Sequence, residues 1–226
     1  MIGIFDSGVG GLASAEILQK RLKGEDIVYL ADRKNAPYGT KTKEELISLV
    51  TRDIMRLSGY GCRLCLIACC TASTVYTSLP AELRYISRPI ITSAAKEASK
   101  GKSIAVIATA HTVDSGEFSK EIRRFSNAKT TEICTQELVG LVESGERDGK
   151  LTKKGYDTLN KIIEKIKAVS PDTLVLGCTH FSHLYESFSA FLPDVRIISA
   201  AREGAEDLCK EIIPAQRERG VCLYTE

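Results

Sequence analysis

Apolar segments alternate with amphipathic ones along the chain, and this alternation restricts the folds that it can adopt. The apolar segments predict strands over residues 2–5, 27–31, 64–68, 103–108 and 173–176. The spacing of apolar residues predicts helices over residues 12–22, 43–58, 117–125 and 155–169. Residues 64–68 are apolar throughout, which is typical of a parallel strand buried on both faces. Strands that alternate with helices predict an α/β fold with a mostly parallel sheet.

Two of the predicted strands recur further along the chain in the same order. Residues 2–7 resemble residues 104–109, and residues 66–69 resemble residues 175–178. In both pairs a strand ends in a small polar turn. Parallel strands also resemble one another without duplication, which is the alternative explanation. Duplication predicts two similar parallel-sheet α/β domains.

We place the two domains at residues 1–91 plus 200–226 and at residues 92–199. The carboxyl ends of their strands would then enclose a cleft between the domains. Open α/β sheets bind ligands at the carboxyl ends of their strands, so this cleft is the expected active site.

The composition argues against nucleic-acid and membrane partners. The 31 Lys and Arg residues nearly balance the 29 Asp and Glu residues, so the net charge is only +2. No run approaches the roughly 18 apolar residues of a membrane span. Because a predicted strand directly follows Met1, we expect no signal peptide. Eight cysteines in such a chain indicate reduced thiols, and we expect a cytoplasmic protein.

The glycine-rich turn after the first strand fits a dinucleotide-binding pattern. Gly8-Val9-Gly10-Gly11-Leu12-Ala13 matches G-x-G-x-x-G/A, and Asp32 stands about where an acid would bind the ribose. Against this reading, the first strand is short, and a carboxylate at Asp6 in the turn would repel a pyrophosphate. The same backbone amides could bind a smaller anion, such as the carboxylate of a metabolite.

Cys62 and Cys65 form a C-x-x-C pair that allows a zinc site. The chain contains no second such pair, and His180 and His183 would complete a site only if the fold brought them close. Cys65 also lies at the entrance of an apolar strand. Buried apolar filler is therefore the favoured interpretation of this pair.

Cys69 and Cys178 differ from the other cysteines because each follows an apolar strand and precedes hydrogen-bonding residues. We expect an accessible thiol at such a position, with the free N–H groups of the next turn stabilising a thiolate. His180 could exchange a proton with the nearby thiol. In a duplicated protein the two thiols would face each other across the cleft.

Two opposed thiols suit the inversion of a carbon centre next to a carboxylate. One thiolate removes the proton, and the other thiol returns a proton from the opposite face. A carbon-bound proton is far less acidic than a thiol, so such a site must stabilise the carbanion with fixed donors and exclude water.

Four motifs resemble the glutamate racemases, in the cofactor-independent aspartate/glutamate racemase family, and they occur here in the order found in that family. They are the segment from Gly3 to Leu12, the segment from Asp32 to Gly39, Ala68-Cys69-Cys70-Thr71-Ala72, and Leu176-Gly177-Cys178-Thr179-His180. The resemblance covers nearly the whole chain. It implies two similar α/β domains with the active site between them, and interconversion of L- and D-glutamate that supplies D-glutamate for peptidoglycan. It also implies that neither pyridoxal phosphate nor metal takes part.

The resemblance also implies roles for individual residues. Cys69 and Cys178 would be the catalytic acid–bases, with Asp6 and His180 assisting one thiol each. Residues implied in substrate binding are Asp6, Ser7, Pro37, Tyr38, Gly39, Cys70, Thr71, Thr112, Thr179 and His180. Asp32 and Glu143 match acidic positions that tune the site. For Glu143 and Thr112, a position at a solvated helix or strand end without a role in the site is an equally good interpretation.

The chain departs from the pattern of the family at three places, and it is somewhat short. Cys70 replaces an asparagine, and a thiol is a weaker hydrogen-bonding group than a carboxamide. Phe181-Ser182 replaces tyrosine–proline, and Ile198 stands where many members carry an acidic residue. The change at Cys70 favours weaker activity, a different substrate or a compensating residue elsewhere.

Three functions therefore remain open at the level of sequence. The leading hypothesis is a glutamate racemase. The alternatives are a racemase for aspartate or another acidic amino acid, and a non-catalytic amino-acid-binding relative. In each case the expected ligand is a small molecule, and family members often form homodimers.

Overall fold

The computed structural model describes residues 1–212 and 220–226, and the strands among these residues form two parallel sheets. The first sheet contains β1 (Ile2–Asp6), β2 (Ile27–Ala31), β3 (Leu64–Ile67), β4 (Ser87–Pro89) and β9 (Cys222–Thr225). Its strand order is β4-β3-β1-β2-β9, and all neighbours run parallel. The central strands β1 and β2 are buried along their whole length, as their apolar sequences predict.

The second sheet repeats the topology of the first. It contains β5 (Ser103–Ala108), β6 (Lys129–Cys134), β7 (Thr173–Gly177) and β8 (Arg196–Ser199), in the order β6-β5-β7-β8. Read in reverse, this order is β8-β7-β5-β6, which matches β4-β3-β1-β2 of the first sheet strand for strand. The strands that resemble each other in sequence, β1 with β5 and β3 with β7, are thus equivalent in topology. The predicted α/β fold with two similar parallel sheets is confirmed.

Helices connect the strands. They are α1 (Leu12–Arg21), α2 (Lys43–Gly59), α3 (Cys70–Ser73), α4 (Ala81–Tyr85), α5 (Ile90–Ala98), α6 (Ala110–Ser115), α7 (Glu117–Arg123), α8 (Glu137–Glu143), α9 (Lys153–Ala168), α10 (Tyr185–Phe191) and α11 (Ala200–Glu211). Helix α2 begins with a capping box, in which the Thr42 hydroxyl accepts from the Glu45 amide and the Glu45 carboxylate accepts from the Thr42 amide. Among the described residues, no helix combines the length and the apolar character that a membrane crossing requires.

The largest apolar cluster joins the two sheets. It includes Ile4 of the first sheet, Val106 and Val175 of the second, and side chains from α5 and α11. Helix α11 packs against both α1 and α5, so these helices fill the space between the sheets. Gly204 lies so close to Ile90 that a Cβ at this position would clash with it. This tight apolar contact holds the two sheets in a fixed relation.

The sequence located the central strands and four of the helices, but it missed the outer strands and the helices that pack between the sheets. The predicted helices and strands agree with α1, α2, α7, α9 and the five strands β1, β2, β3, β5 and β7 to within one or two residues. Strands β4, β6, β8 and β9 and helices α5 and α11 were not predicted. Asp6, predicted in the turn, is the last residue of β1. The predicted boundary between residues 1–91 plus 200–226 and residues 92–199 stays a prediction, and residues 213–219 lie outside the described residues.

Candidate active site

The carboxyl ends of strands from both sheets enclose a cavity of about 400 Å³. It brings together side chains that are far apart in the sequence, including both Cys69 and Cys178. Its lining consists of Ser7, Gly8, Val9, Arg33, Ala36, Pro37, Tyr38, Gly39, Cys69, Cys70, Thr71, Thr109, Gln136, Val139, Val142, Glu143, Cys178, Thr179, His180 and His183. Parallel strands end at one edge of a sheet, so the residues that follow them converge there.

Cys69 faces the cavity from the end of β3, at the start of α3. Its Sγ lies 3.6 Å from the Oγ of Ser7, in the turn after β1. Asp6 lies behind this turn and is fully buried; its carboxylate accepts from the Gly8 amide at 2.7 Å and from the Thr179 hydroxyl at 3.2 Å. Burial raises the pKa of Asp6 to about 7, although both hydrogen bonds oppose the rise. Asp6 therefore titrates near neutral pH.

Cys178 faces the cavity from the end of β7. Its Sγ lies 3.8 Å from Nδ1 of His180, and Nε2 of the same ring lies 3.5 Å from Oε1 of Glu143. Burial lowers the pKa of His180, while the charge of Glu143 opposes that shift. The lowered pKa favours the neutral form of the imidazole. The imidazole thus contacts the thiol through one ring nitrogen and the carboxylate through the other.

The two thiols are less accessible than the sequence led us to expect. Cys69 is 6% exposed and Cys178 is 8% exposed. Burial, and then the charge of Asp6, raises the pKa of Cys69 to about 11. Burial, and to a lesser extent Cys69, raises the pKa of Cys178 well above its usual value, although nearby backbone N–H groups oppose the shift. Desolvation outweighs those N–H groups, so both residues are neutral thiols in the unliganded protein.

Cys70 lines the cavity but packs into the apolar cluster between the sheets and is only 3% exposed. The next residue, Thr71, lies 3.3 Å from the hydroxyls of both Thr109 and Thr112. Thr112 is fully buried, so its hydroxyl supports Thr71 and Thr109 behind the cavity wall. This trio joins α3 of the first half to α6 of the second.

Tyr38 connects the cavity wall to buried charges. Its hydroxyl donates to Oδ2 of Asp32 at 2.6 Å and lies 3.1 Å from Oδ2 of Asp53. Arg52 pairs with both carboxylates, at 2.7 Å and 2.8 Å. These contacts hold the segment of Pro37, Tyr38 and Gly39 against the cavity. Asp32 thus lies behind the wall and supports it through Tyr38.

The glycine turn provides a close approach between the two halves. A Cβ at Gly10 would overlap the Thr179 hydroxyl and press on the His180 ring. A Cβ at Gly11 would crowd Asp6 and the Tyr29 hydroxyl. The spacing of these glycines therefore serves packing at the cavity. The contacts offer a structural reason for the pattern that does not involve a pyrophosphate.

The remaining cysteine and substitution sites lie away from the cavity or behind it. Cys62 and Cys65 are buried and pack against α2, as expected for small apolar residues. The Oγ atoms of Ser182 and Ser199 lie 2.8 Å apart. Ile198 packs in the cluster between the sheets. Across residues 1–212 and 220–226, no group of three or more His, Cys, Asp or Glu side chains is arranged to hold a metal ion.

Several lining residues were not predicted from the sequence. They are Val9, Arg33, Ala36, Thr109, Gln136, Val139, Val142 and His183. Gln136 accepts from the Ala110 amide at 3.2 Å and faces Gly39 across the cavity. Thr109 could have been found from the repeat, because it follows β5 as Ser7 follows β1. Val9, Arg33 and Ala36 lie within two of the family motifs, although no role was assigned to them, whereas Val139 and Val142 belong to α8, which the sequence did not predict.

Comparison with known proteins assigns the chain to a family. The profile of the Asp/Glu/Hydantoin racemase family matches residues 14–208. The glutamate racemase of a Hydrogenobaculum strain is 33% identical over 206 residues, which cover 88% of this chain and 78% of that relative.

Solved structures agree with this placement. A glutamate racemase isoform from Bacillus anthracis superposes with a TM-score of 0.87 at 27% identity, covering 99% of this chain and 87% of that one. Escherichia coli glutamate racemase, solved with L-glutamate and an activator, has a TM-score of 0.74 at 29% identity and covers 98% of this chain and 88% of that one. The chain belongs to the Asp/Glu/hydantoin racemase family.

Proposed function

We propose that this protein is a glutamate racemase that uses Cys69 and Cys178 as its two acid–bases, without a cofactor. The observation that carries the proposal is that both thiols line one cavity at the carboxyl ends of equivalent strands, β3 and β7. The equivalent strand order of the two halves suits a reaction whose substrate and product are mirror images. The glutamate racemases among the relatives support the choice of reaction.

In one direction a thiolate takes the proton from Cα. The C–H bond breaks, its electron pair is delocalised into the α-carboxylate, and an S–H bond forms. The second thiol then gives its proton to the opposite face of the same carbon. The thiolate and the thiol exchange roles for the reverse reaction, so each turnover leaves the pair in the opposite protonation state.

Each thiol must lose its proton before it can act as a base. For Cys178, the Nδ1 of neutral His180 at 3.8 Å is the acceptor, and Glu143 stabilises the imidazolium that forms. For Cys69, the Asp6 carboxylate is the group that titrates near neutral pH. The substrate ammonium, once bound beside the thiols, would also favour the charged form of either thiol.

Hydroxyl and backbone donors at the strand ends are suited to hold the carboxylate of the developing carbanion. Ser7, Thr71 and Thr179 supply hydroxyls on the cavity wall, and the turns after β1, β3 and β7 supply N–H groups. Fixed donors of this kind stabilise charge without reorganising during the reaction. The low exposure of both thiols helps to exclude water, which would otherwise compete for the carbanion.

Glutamate is the proposed substrate because the Hydrogenobaculum relative is a glutamate racemase and the Escherichia coli protein was solved with L-glutamate. Cys70 keeps the alternative of aspartate or another acidic amino acid open, because the asparagine of the family would offer a carboxamide to the substrate. Comparing kcat/KM for glutamate and aspartate decides between them. A non-catalytic binding protein would retain amino-acid binding and show no turnover.

The proposed product, D-glutamate, would enter peptidoglycan synthesis, and we propose that the protein acts in the cytoplasm. We also propose that residues 1–91 plus 200–226 and residues 92–199 are the two domains. A homodimer is the proposed assembly, and sedimentation velocity of the full chain tests it.

The direct test is incubation of the protein with L- or D-glutamate and no added cofactor. Circular dichroism should show both enantiomers relaxing to the same optically inactive mixture. If neither glutamate nor aspartate changes, the proposed function is wrong. Loss of activity after treatment with EDTA would contradict the metal-free mechanism.

A further inference from the structure

Arg33 is an unassigned cation at the edge of the active site. It follows Asp32 directly after β2 and lines the cavity together with both thiols. Among the described lining residues it is the only Lys or Arg, and the other groups that could become positive are His180 and His183. An arginine stays charged at any physiological pH, whereas burial lowers the pKa of His180.

The guanidinium of Arg33 already binds a carboxylate. Its Nη1 donates to Oε1 of Glu226 at 3.0 Å. Glu226 follows β9, which pairs in parallel with β2 at the edge of the first sheet. The Nη2 of Arg56 donates to the main-chain oxygen of Glu226 at 2.8 Å and keeps this residue next to Arg33. The geometry therefore shows that a glutamate side chain can be held at this position.

The pair of Arg33 and Glu226 is well suited to exchange. The two side chains are 61% and 56% exposed, so solvent screens their attraction and the pair contributes little to stability. A carboxylate that enters from the cavity could replace Glu226 at small cost.

A dicarboxylic amino acid requires one more positive partner than a neutral amino acid does. The α-ammonium and α-carboxylate are common to all amino acids, and only the distal carboxylate distinguishes glutamate from glutamine. Glu143 on the cavity wall, and the Asp6 carboxylate behind it when ionised, would repel that second negative charge. Arg33 is the lining residue that can offset this repulsion with a planar fork of N–H donors.

We propose that Arg33 binds the distal carboxylate of the substrate and that Glu226 occupies its guanidinium in the free protein. Arg33 would then determine specificity for an acidic side chain, while the thiols and strand-end donors handle the α-carbon. The inference rests on the proposed racemase function and assigns the substrate's second charge to a named residue.

The test compares Arg33→Gln, Arg33→Lys and Glu226→Gln in the full-length protein. KM and kcat are measured for L-glutamate, and L-glutamine is measured as a competitive inhibitor. Arg33→Gln should raise KM for glutamate about tenfold, as the loss of one charge-assisted contact implies, with kcat within about twofold. The inhibition constant of glutamine should stay unchanged. The KM of Arg33→Lys for glutamate should lie between those of the unmodified protein and Arg33→Gln. Glu226→Gln should lower KM by about twofold.

Parallel rises in the KM of glutamate and the inhibition constant of glutamine would overturn the proposal, because they would indicate a general distortion of the cavity. An unchanged KM in Arg33→Gln would also overturn it. A KM that does not fall in Glu226→Gln would contradict the competition with Glu226. If the unmodified protein does not racemise glutamate, the proposed function fails instead, and calorimetric binding of glutamate to the same variants still tests Arg33.

Discussion

The two sides of the cavity place equivalent thiols in different chemical settings. Cys69 is accompanied by Ser7 and a buried carboxyl, Asp6, which titrates near pH 7. Cys178 is accompanied by a neutral imidazole, His180, which contacts an exposed carboxylate. The strands that carry the thiols are related by the internal repeat, but the assisting groups are not.

The difference separates what the two halves share, the positions of the thiols, from what differs between them, the groups beside each thiol. Inversion of a carbon centre needs two proton-transfer groups on opposite faces, and the repeated strands provide their positions. In the proposed mechanism each thiol also needs a proton acceptor, and either a carboxylate or an imidazole can serve. Similar geometry with different assistants therefore predicts two half-reactions with the same chemistry and separate pH behaviour.

Removing either thiol should have the largest effect. Cys69→Ala and Cys178→Ala should each lower racemisation of glutamate by about 10³-fold or more, because either half-reaction is essential. Polarimetry or circular dichroism measures the rate. Cys62→Ala is the matched control, a buried cysteine that does not line the cavity, and should remain within about twofold of the unmodified protein. Substantial turnover in either single-thiol variant would contradict the two-base mechanism.

Weakening one assistant at a time should separate the two sides. Asp6→Asn and His180→Gln should each lower kcat/KM by about 10- to 10³-fold. L- and D-glutamate have equal free energies, so the two kcat/KM values must fall together in each variant. The distinguishing measurement is the primary isotope effect with α-deuterated substrate. It should rise for one enantiomer in Asp6→Asn and for the other in His180→Gln, because each variant makes a different proton transfer rate-limiting.

The pH profile should report Asp6. Its carboxyl can accept a proton only when ionised, so kcat/KM should rise with pH through about 7, where the raised pKa lies. Asp6→Asn should remove this limb. The free energy of unfolding should instead fall as pH rises. The pKa of Asp6 is higher in the folded than in the unfolded protein, so the stability that its protonated carboxyl contributes is lost as pH rises through about 7. Denaturant titrations should show that the free energy of unfolding falls between pH 5 and pH 8 in the unmodified protein. The decrease should be smaller in Asp6→Asn.

Cys70→Asn should have an intermediate effect. A carboxamide on the cavity wall would add donors for the substrate and should raise kcat/KM for glutamate by a few-fold if Cys70 is a degenerate position. It would also place a polar group within the apolar cluster and should cost about 1–3 kcal/mol of stability unless it is fully hydrogen-bonded. Thermal denaturation measures that cost. A gain for aspartate alone would favour the alternative substrate.

Glu143→Gln should have the smallest effect. The carboxylate is 59% exposed and lies 3.5 Å from His180, so its charge is partly screened. We expect a decrease in kcat of about two- to fivefold, confined to conditions of low ionic strength. A decrease as large as that in His180→Gln would mean that the carboxylate takes part directly in proton transfer.

The sequence predicted the centre of the fold better than its edges, for a physical reason. Strands such as β1 and β7 are buried on both faces and read as continuous apolar runs. Edge strand β6 is half exposed and begins with Lys129 and Thr130, so it lacks such a pattern. Helices α5 and α11 pack between the sheets through small residues, and that surface exists only after both halves have folded.

The same distinction holds for the site. Four lining residues directly follow predicted strands or their last residue, namely Ser7, Cys69, Cys178 and Thr179. Their meeting at the carboxyl ends of the strands could therefore be predicted. Gln136 belongs to the second half and faces Gly39 of the first, so its place at the cavity depends on how the halves meet. Arg33 lies in the connection after β2, where its side chain is held by Glu226. The raised pKa of both thiols was also not anticipated, because the degree of burial depends on how closely the halves approach at Gly10.

The most direct test of the account is exchange of the α-proton of glutamate in heavy water by the two single-thiol variants. NMR follows loss of the α-proton signal for each enantiomer separately. The account predicts that Cys69→Ala retains exchange with one enantiomer and Cys178→Ala retains exchange with the other, because each remaining thiol serves one face of the carbon. Exchange of the same enantiomer by both variants would contradict the assignment of Cys69 and Cys178 as opposed bases.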